Sequence, residues 1–171
     1  MLEGFRWATT DLDVPIELIE ESQKILIGNR LWEVKSGYGH TPRNTALFCK
    51  EDGIMMTGDH ILPRIYPNIS IWWGASRNPL QEYLDSIVKF KDMNCPVGLP
   101  SHGPVFDNMD TRIEQIHLFH VRRIKRAIAF CQGEPKTAFE CIDPVLGKSI
   151  HGNIVSLVAG QVYAILAYLE G

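Results

Sequence analysis

The spacing of apolar and polar positions changes character near residue 108. Before that point, short apolar runs alternate with turn signals, the pattern of strands. Lys24 to Ile27 and Leu31 to Lys35 flank Gly28-Asn29-Arg30 and predict a hairpin. Thr45 to Cys49 is a short apolar run, and Asp52-Gly53 turns the chain into a further strand, Ile54 to Thr57. Pro63 to Ser76 is irregular and aromatic-rich. Asn78-Pro79-Leu80-Gln81 starts a helix: Asn caps, Pro suits the first helical position, and Gln81 completes a capping-box pattern. Leu80, Leu84, Ile87 and Val88 then form its apolar face. Pro96 to Leu99 predicts one more strand, running into the turn Pro100-Ser101-His102-Gly103-Pro104.

From Asp110 onward the period becomes helical. Ile113, Ile116, His120, Ile124, Ala127 and Cys131 share one face of a long helix ended by Gly133. Thr137-Ala138-Phe139-Glu140 is a capping box opening a short helix, which Pro144 and Gly147 break. Asn153 is expected to cap the last helix, with Val155, Val158, Val162, Ile165, Leu166 and Leu169 turned inward. The chain therefore reads as mixed α/β over 1–108 and helical over 109–171.

Composition narrows the class. The 171 residues are 45% apolar and 22% charged with a net charge of −3, which excludes collagen, coiled coil and disorder for the whole chain. The longest apolar stretch, Ile154 to Leu169, is interrupted by Ser156, Gly160 and Gln161 and has helical spacing, so no membrane span is expected. The first residues are acidic within three positions and lack an apolar core, so no signal peptide is read there and the cytoplasm is the default compartment. Cys49, Cys95, Cys131 and Cys141 are irregularly spaced in apolar surroundings and read as reduced core cysteines, not as a disulfide framework or zinc ribbon. Basic and acidic side chains number 10 and 14 in the first 108 residues and 7 and 6 in the rest. That near balance offers no basic field for nucleic acid.

Candidate chemistry gathers on three loops that follow strands: Gly39-His40-Thr41-Pro42, Gly58-Asp59 and Ser101-His102-Gly103. Two imidazoles and a carboxylate suit zinc, iron or manganese. On the residues alone, surface or turn-stabilising roles stay open for each. His60 reads as an exposed loop residue, His120 as a core histidine and His151 as a turn residue. Arg122, Arg123, Lys125 and Arg126 read as a solvated helix face. Trp72 and Trp73 either line a substrate mouth or pack inside.

In order and context these pieces resemble the metallo-β-lactamase superfamily. A hairpin leads to Gly39-His40-Thr41, a strand pair leads to Gly58-Asp59, and a helix and strand lead to Ser101-His102-Gly103. The resemblance implies half of a four-layer αββα sandwich with a helical C-terminal extension. It implies that 1–108 is the C-terminal half of such a domain and 109–171 a helical, winged-helix-like tail of the thioesterase, glyoxalase-II or nuclease branch. His40, Asp59 and His102 are implied as metal ligands, with Asp59 the catalytic carboxylate bridging up to two zinc ions. Trp72, Trp73 and Asn44 are implied near substrate. The implied reaction is hydrolysis of a small-molecule ester or thioester by metal-bound hydroxide.

One departure matters. The family's main metal motif, His-x-His-x-Asp-His, is absent: the six histidines, at 40, 60, 102, 117, 120 and 151, include no His-x-His pair. The expectation is therefore a fragment of a metal-dependent hydrolase, inactive alone, that either forms a homodimer or pairs with a complementing N-terminal half. The alternative is a non-catalytic dimerisation or binding module derived from the same fold.

Overall fold

The computed structural model describes residues 17–72 and 74–171, the side chain of Asn153 excepted. Met1 to Arg6, on which the reading of the N-terminus rests, and Trp73 lie outside the described residues. Six strands form one sheet in sequence order: β1 (Lys24–Ile27), β2 (Arg30–Gly37), β3 (Asn44–Cys49), β4 (Ile54–Gly58), β5 (Val97–Pro100) and β6 (Phe106–Asp107). All neighbours pair antiparallel except β4 and β5, which are parallel. A parallel pair needs a crossover. Residues 59–96 supply it, and they carry helix α1 (Pro79–Ile87).

The strands form where the apolar runs predict them, with small shifts. β1 and β2 are joined by a two-residue loop, Gly28 and Asn29, and Arg30 already pairs with Ile27. Gly28 takes the left-handed conformation (φ 63°) that such a tight turn needs. β6 is an addition. Its two residues have no alternating pattern of their own and pair because Phe106 packs over Gly98, where a Cβ would meet the ring at 2.4 Å.

Helix α1 starts as its sequence predicts: the Asn78 side chain accepts from the Gln81 N–H at 3.1 Å, and Pro79 occupies the first turn. Only half of the capping box forms, because the Gln81 amide reaches forward to Asp85 (2.7 Å). The buried face is Leu80, Tyr83, Leu84 and Ile87; Val88, expected inside, lies past the helix end and is exposed. Helix α2 (Met109–Cys131) buries Ile113, Ile116, His120 and Ala127, as the period requires. The Thr137–Glu140 box is complete, with Glu140 accepting from both the Thr137 N–H (2.8 Å) and hydroxyl (2.7 Å). It caps a turn before the short helix α3 (Ile142–Leu146). Pro144 does not break α3. It sits in the first turn, where no N–H is needed. Helix α4 (Val155–Glu170) follows a short 3-10 turn and buries Val158, Val162, Ala164 and Ile165, while Leu169 near its end is exposed.

The two faces of the sheet differ. Cross-strand partners point the same way, so Glu33, Phe48, Met55 and Gly98 share one face and Val34, Leu47, Met56 and Leu99 the other. Phe48 and Met55 join one continuous core with the inward residues of all four helices. On the second face Val34 is buried, Leu47 and Leu99 are half-buried and Met56 is exposed. Among the described residues no helix is long and apolar enough to cross a membrane.

Candidate functional site

Strand polarity brings the three loops to one end of the sheet. Gly37 pairs with Asn44, so the loop bearing His40 leaves and re-enters there. Gly58 pairs with Pro100 across the parallel β4–β5 ladder, so Asp59 and His102 leave the same end. The N–H of Ser101 donates to Gly58 O (3.2 Å) and carries the ladder one step further.

Each loop is held from below. Gly39 has φ +97°, and a Cβ there would sit 2.4 Å from the Pro79 carbonyl oxygen, so the loop rests directly on the start of α1. Thr57, fully buried, donates to Ile61 O (2.8 Å), and the Tyr83 hydroxyl donates to His60 O (2.8 Å). These bonds fold the chain back on itself just after Asp59. Buried Arg112 then anchors the next stretch, donating to Leu62 O (2.6 Å) and Ile65 O (2.8 Å).

On this support His40, Asp59 and His102 converge. His40 Nε2 is 3.6 Å from Asp59 Oδ2, and His102 Nε2 is 3.4 Å from Asp59 Oδ1. The side chains are 22%, 35% and 65% exposed in that order, a gradient from floor to solvent. The Ser101 hydroxyl donates to Asp59 Oδ1 and fixes the carboxylate.

The chemistry of this set fits a cation. His40 Nδ1 lies 2.9 Å from the carbonyl of Asn68, which only accepts, so Nδ1 carries the proton. In the neutral ring the lone pair then sits on Nε2 and faces a carboxylate oxygen. Two acceptors face each other stably only with a proton or a cation between them. Such a carbonyl partner is the usual way a ligating imidazole is oriented. Each histidine addresses a different oxygen of Asp59, an arrangement suited to a shared carboxylate. Among the described residues no three His, Cys, Asp or Glu side chains are arranged to hold one metal ion as they stand.

Trp72, half exposed, lines a cleft of about 500 Å³ with His40, Asn68, Ile71, Leu157 and Gly160. Gly160 lets α4 approach the loop closely: its carbonyl accepts from the Ile71 N–H at 3.0 Å. The Asn44 amide donates to Thr57 O at 3.5 Å, and its side chain lies against Gly58. Trp73 is outside the described residues.

The expectation for His60 is overturned: it is fully buried. Its ring lies between Tyr83 and Phe90, with centroids 5.0 Å away, and Nε2 is 3.2 Å from Ser86 Oγ. Burial pushes its pKa down to about 3, with the charge of His40 adding to the effect. The slot exists because residue 37 is glycine: a Cβ there would sit 2.4 Å from the ring. A glycine inside a strand is the sequence signal for such a close approach. His120 lies in the core as expected, but its buried Nε2 has no hydrogen-bond partner, and His151 is exposed in the turn before α4. Arg123 departs from the solvated-face reading: it is half-buried, stacks on Phe119 and donates to Gln161 (2.7 Å).

No protein-family model matches the chain. Over 91% of its length it is 32% identical to a beta-lactamase domain protein from Burkholderia ambifaria, with a TM-score of 0.82, covering 47% of that chain. A metallo-beta-lactamase family protein from Thermus thermophilus shares the fold with a TM-score of 0.79 and 21% identity, over 98% of this chain and 58% of that one. Sequence relatives include an atrochrysone carboxyl ACP thioesterase of Aspergillus fumigatus, 22% identical over 149 residues, 75% of this chain and 44% of that protein. Another is the lactamase-like protein vrtG of Penicillium aethiopicum, 24% identical over 120 residues, 68% of this chain and 36% of that protein. The chain thus spans between 36% and 58% of the length of these proteins. Fold and relatives together place it in the metallo-β-lactamase superfamily.

Proposed function

We propose that His40, Asp59 and His102 form one half of the metal site of an ester or thioester hydrolase, with zinc as the metal. The observation that carries this reading is the His40 lone pair, turned by the Asn68 carbonyl onto a carboxylate that His102 addresses from the other side. Zinc bound there would supply a water of lowered pKa and a positive charge to polarise the scissile carbonyl. The chain's own residues do the positioning. Asn68 holds the His40 tautomer, Ser101 holds the Asp59 rotamer, and the cleft between Trp72 and Leu157 receives the apolar acyl part of the substrate. The thioesterase name of the fungal relative supports a thioester over a phosphodiester.

The remaining ligands come, in this reading, from a complementing half that carries the His-x-His-x-Asp-His motif. A second copy of these 171 residues contains no His-x-His pair and cannot supply that motif. The complementing half would also cover the second sheet face, where Leu47, Met56 and Leu99 remain accessible. That same face supports the second reading, a non-catalytic dimerisation or binding module.

The test is metal content and thioester hydrolysis of the purified chain beside Asp59→Ala. The proposal expects zinc retention that Asp59→Ala abolishes and no turnover by the isolated chain. Less than about one zinc per ten chains after equilibration with excess zinc would sink the hydrolase reading. Turnover lost on Asp59→Ala would overturn the inactivity of the chain alone.

A further inference from the structure

Away from the candidate site, the junction of α2 and α3 places two thiols together. Cys131 is the last residue of α2 and Cys141 immediately precedes α3. Both are free, and their sulfurs are 3.7 Å apart. The intervening loop is built to keep them there. Gly133 turns it with φ 98°, Thr137 and Glu140 cap each other, and Cys141 N–H donates back to Thr137 O (3.3 Å). Cys49 and Cys95 are spent differently: their sulfurs approach Asp52 Oδ2 (3.6 Å) and the carbonyls of Gly53 (3.6 Å) and Val97 (3.5 Å).

We propose that Cys131 and Cys141 form a reversible intrachain disulfide, installed by a low-molecular-weight disulfide of the glutathione type. The sulfurs have to close from 3.7 Å to the bonded distance of about 2.05 Å. Accessibility sets the order of events. Cys131 is partly exposed and Cys141 is fully buried. Burial, and then the bond to Cys131, push the Cys141 thiol up to about 11, so it remains a thiol until its partner has reacted. Cys131, having given up its proton, attacks one sulfur of the small disulfide. That S–S bond breaks and one small thiol leaves with a proton. Cys141 then loses its proton and attacks Cys131 Sγ, expelling the second small thiol. Two protein thiols are oxidised by two electrons, and one small disulfide is reduced to two thiols. The product closes the 132–140 loop covalently and ties the end of α2 to α3.

The test treats the whole chain with oxidised glutathione and then counts thiols, weighs the intact protein and maps tryptic peptides. Cleavage after Arg126, Lys136 and Lys148 puts Cys131 on residues 127–136 and Cys141 on 137–148, so the bond joins two separable peptides. The expected result is a fall from four free thiols to two, a mass lower by about 2 Da, this one linked pair, and reversal by dithiothreitol. Cys49→Ser should leave the linkage unchanged, and Cys131→Ser should abolish it. Retention of all four thiols, a link involving Cys49 or Cys95, or a stable glutathione adduct on Cys131 would each overturn the proposal.

Discussion

Asp59 and His60 are neighbours in the chain, yet they belong to two regions with different physics. Asp59 stands on a lip with Ser101, His102 and Trp72, open to water and positioned by a few polar contacts. His60 belongs to a floor with Thr57, Tyr83, Ser86 and Arg112, where nearly every polar group is buried and most are bonded. The floor fixes where the lip residues stand, and the lip faces the chemistry. Damage to the floor should appear as lost stability, and damage to the lip as lost binding in a folded protein.

The largest effect should come from Arg112→Ala. It leaves the carbonyls of Leu62 and Ile65 without their donor and removes the guanidinium stacked 4.7 Å over Tyr66. Urea denaturation should show a loss of about 3 kcal/mol. Gly37→Ala should follow, at about 2 kcal/mol, because the new methyl meets a ring already enclosed by Tyr83 and Phe90. If it costs nothing, the floor is looser than these contacts require.

Acid should attack the interior next. His120 is buried, and its pKa is pushed down to about 3 by burial first, then by the charges of Arg123 and His117. Below the ordinary value of about 6.5 the unfolded chain therefore binds a proton that the folded chain does not. Stability should fall as pH falls from about 6.5 toward 3, by about 2 kcal/mol at pH 5 from this residue. Denaturation midpoints at pH 7 and 5 for the natural protein and His120→Gln measure it, and the variant should show a smaller pH dependence. At the small end, His102→Ala on the exposed lip should change stability by less than about 0.5 kcal/mol.

The same division explains what could be read from the sequence. The lip was legible, because His40, Asp59 and His102 each follow a strand in a short Gly-containing turn, and strand polarity then carries them to one end of the sheet. Helices α1 and α2 were legible too, since their caps and 3.6-residue spacing are local. The floor was not. His60 looks like any loop residue until Gly37, far back on β2, is seen to leave a slot for its ring. Arg112 looks like a surface residue on a polar helix start until the irregular segment after Asp59 folds beneath it. Val88 and Leu169 continue helical spacing past the point where tertiary packing still covers them. In each case burial depends on residues distant in sequence, which no local pattern encodes.

Zinc titration of the chain by isothermal calorimetry, with His40→Ala, Asp59→Asn and His102→Ala alongside, tests the central claim most directly. The half-site account predicts weak, saturable binding of zinc by the natural sequence. It predicts at least about a tenfold loss with Asp59→Asn, which addresses both histidines, and a smaller loss for either histidine alone. Zinc binding that ignores all three substitutions, in proteins of unchanged stability, would contradict it.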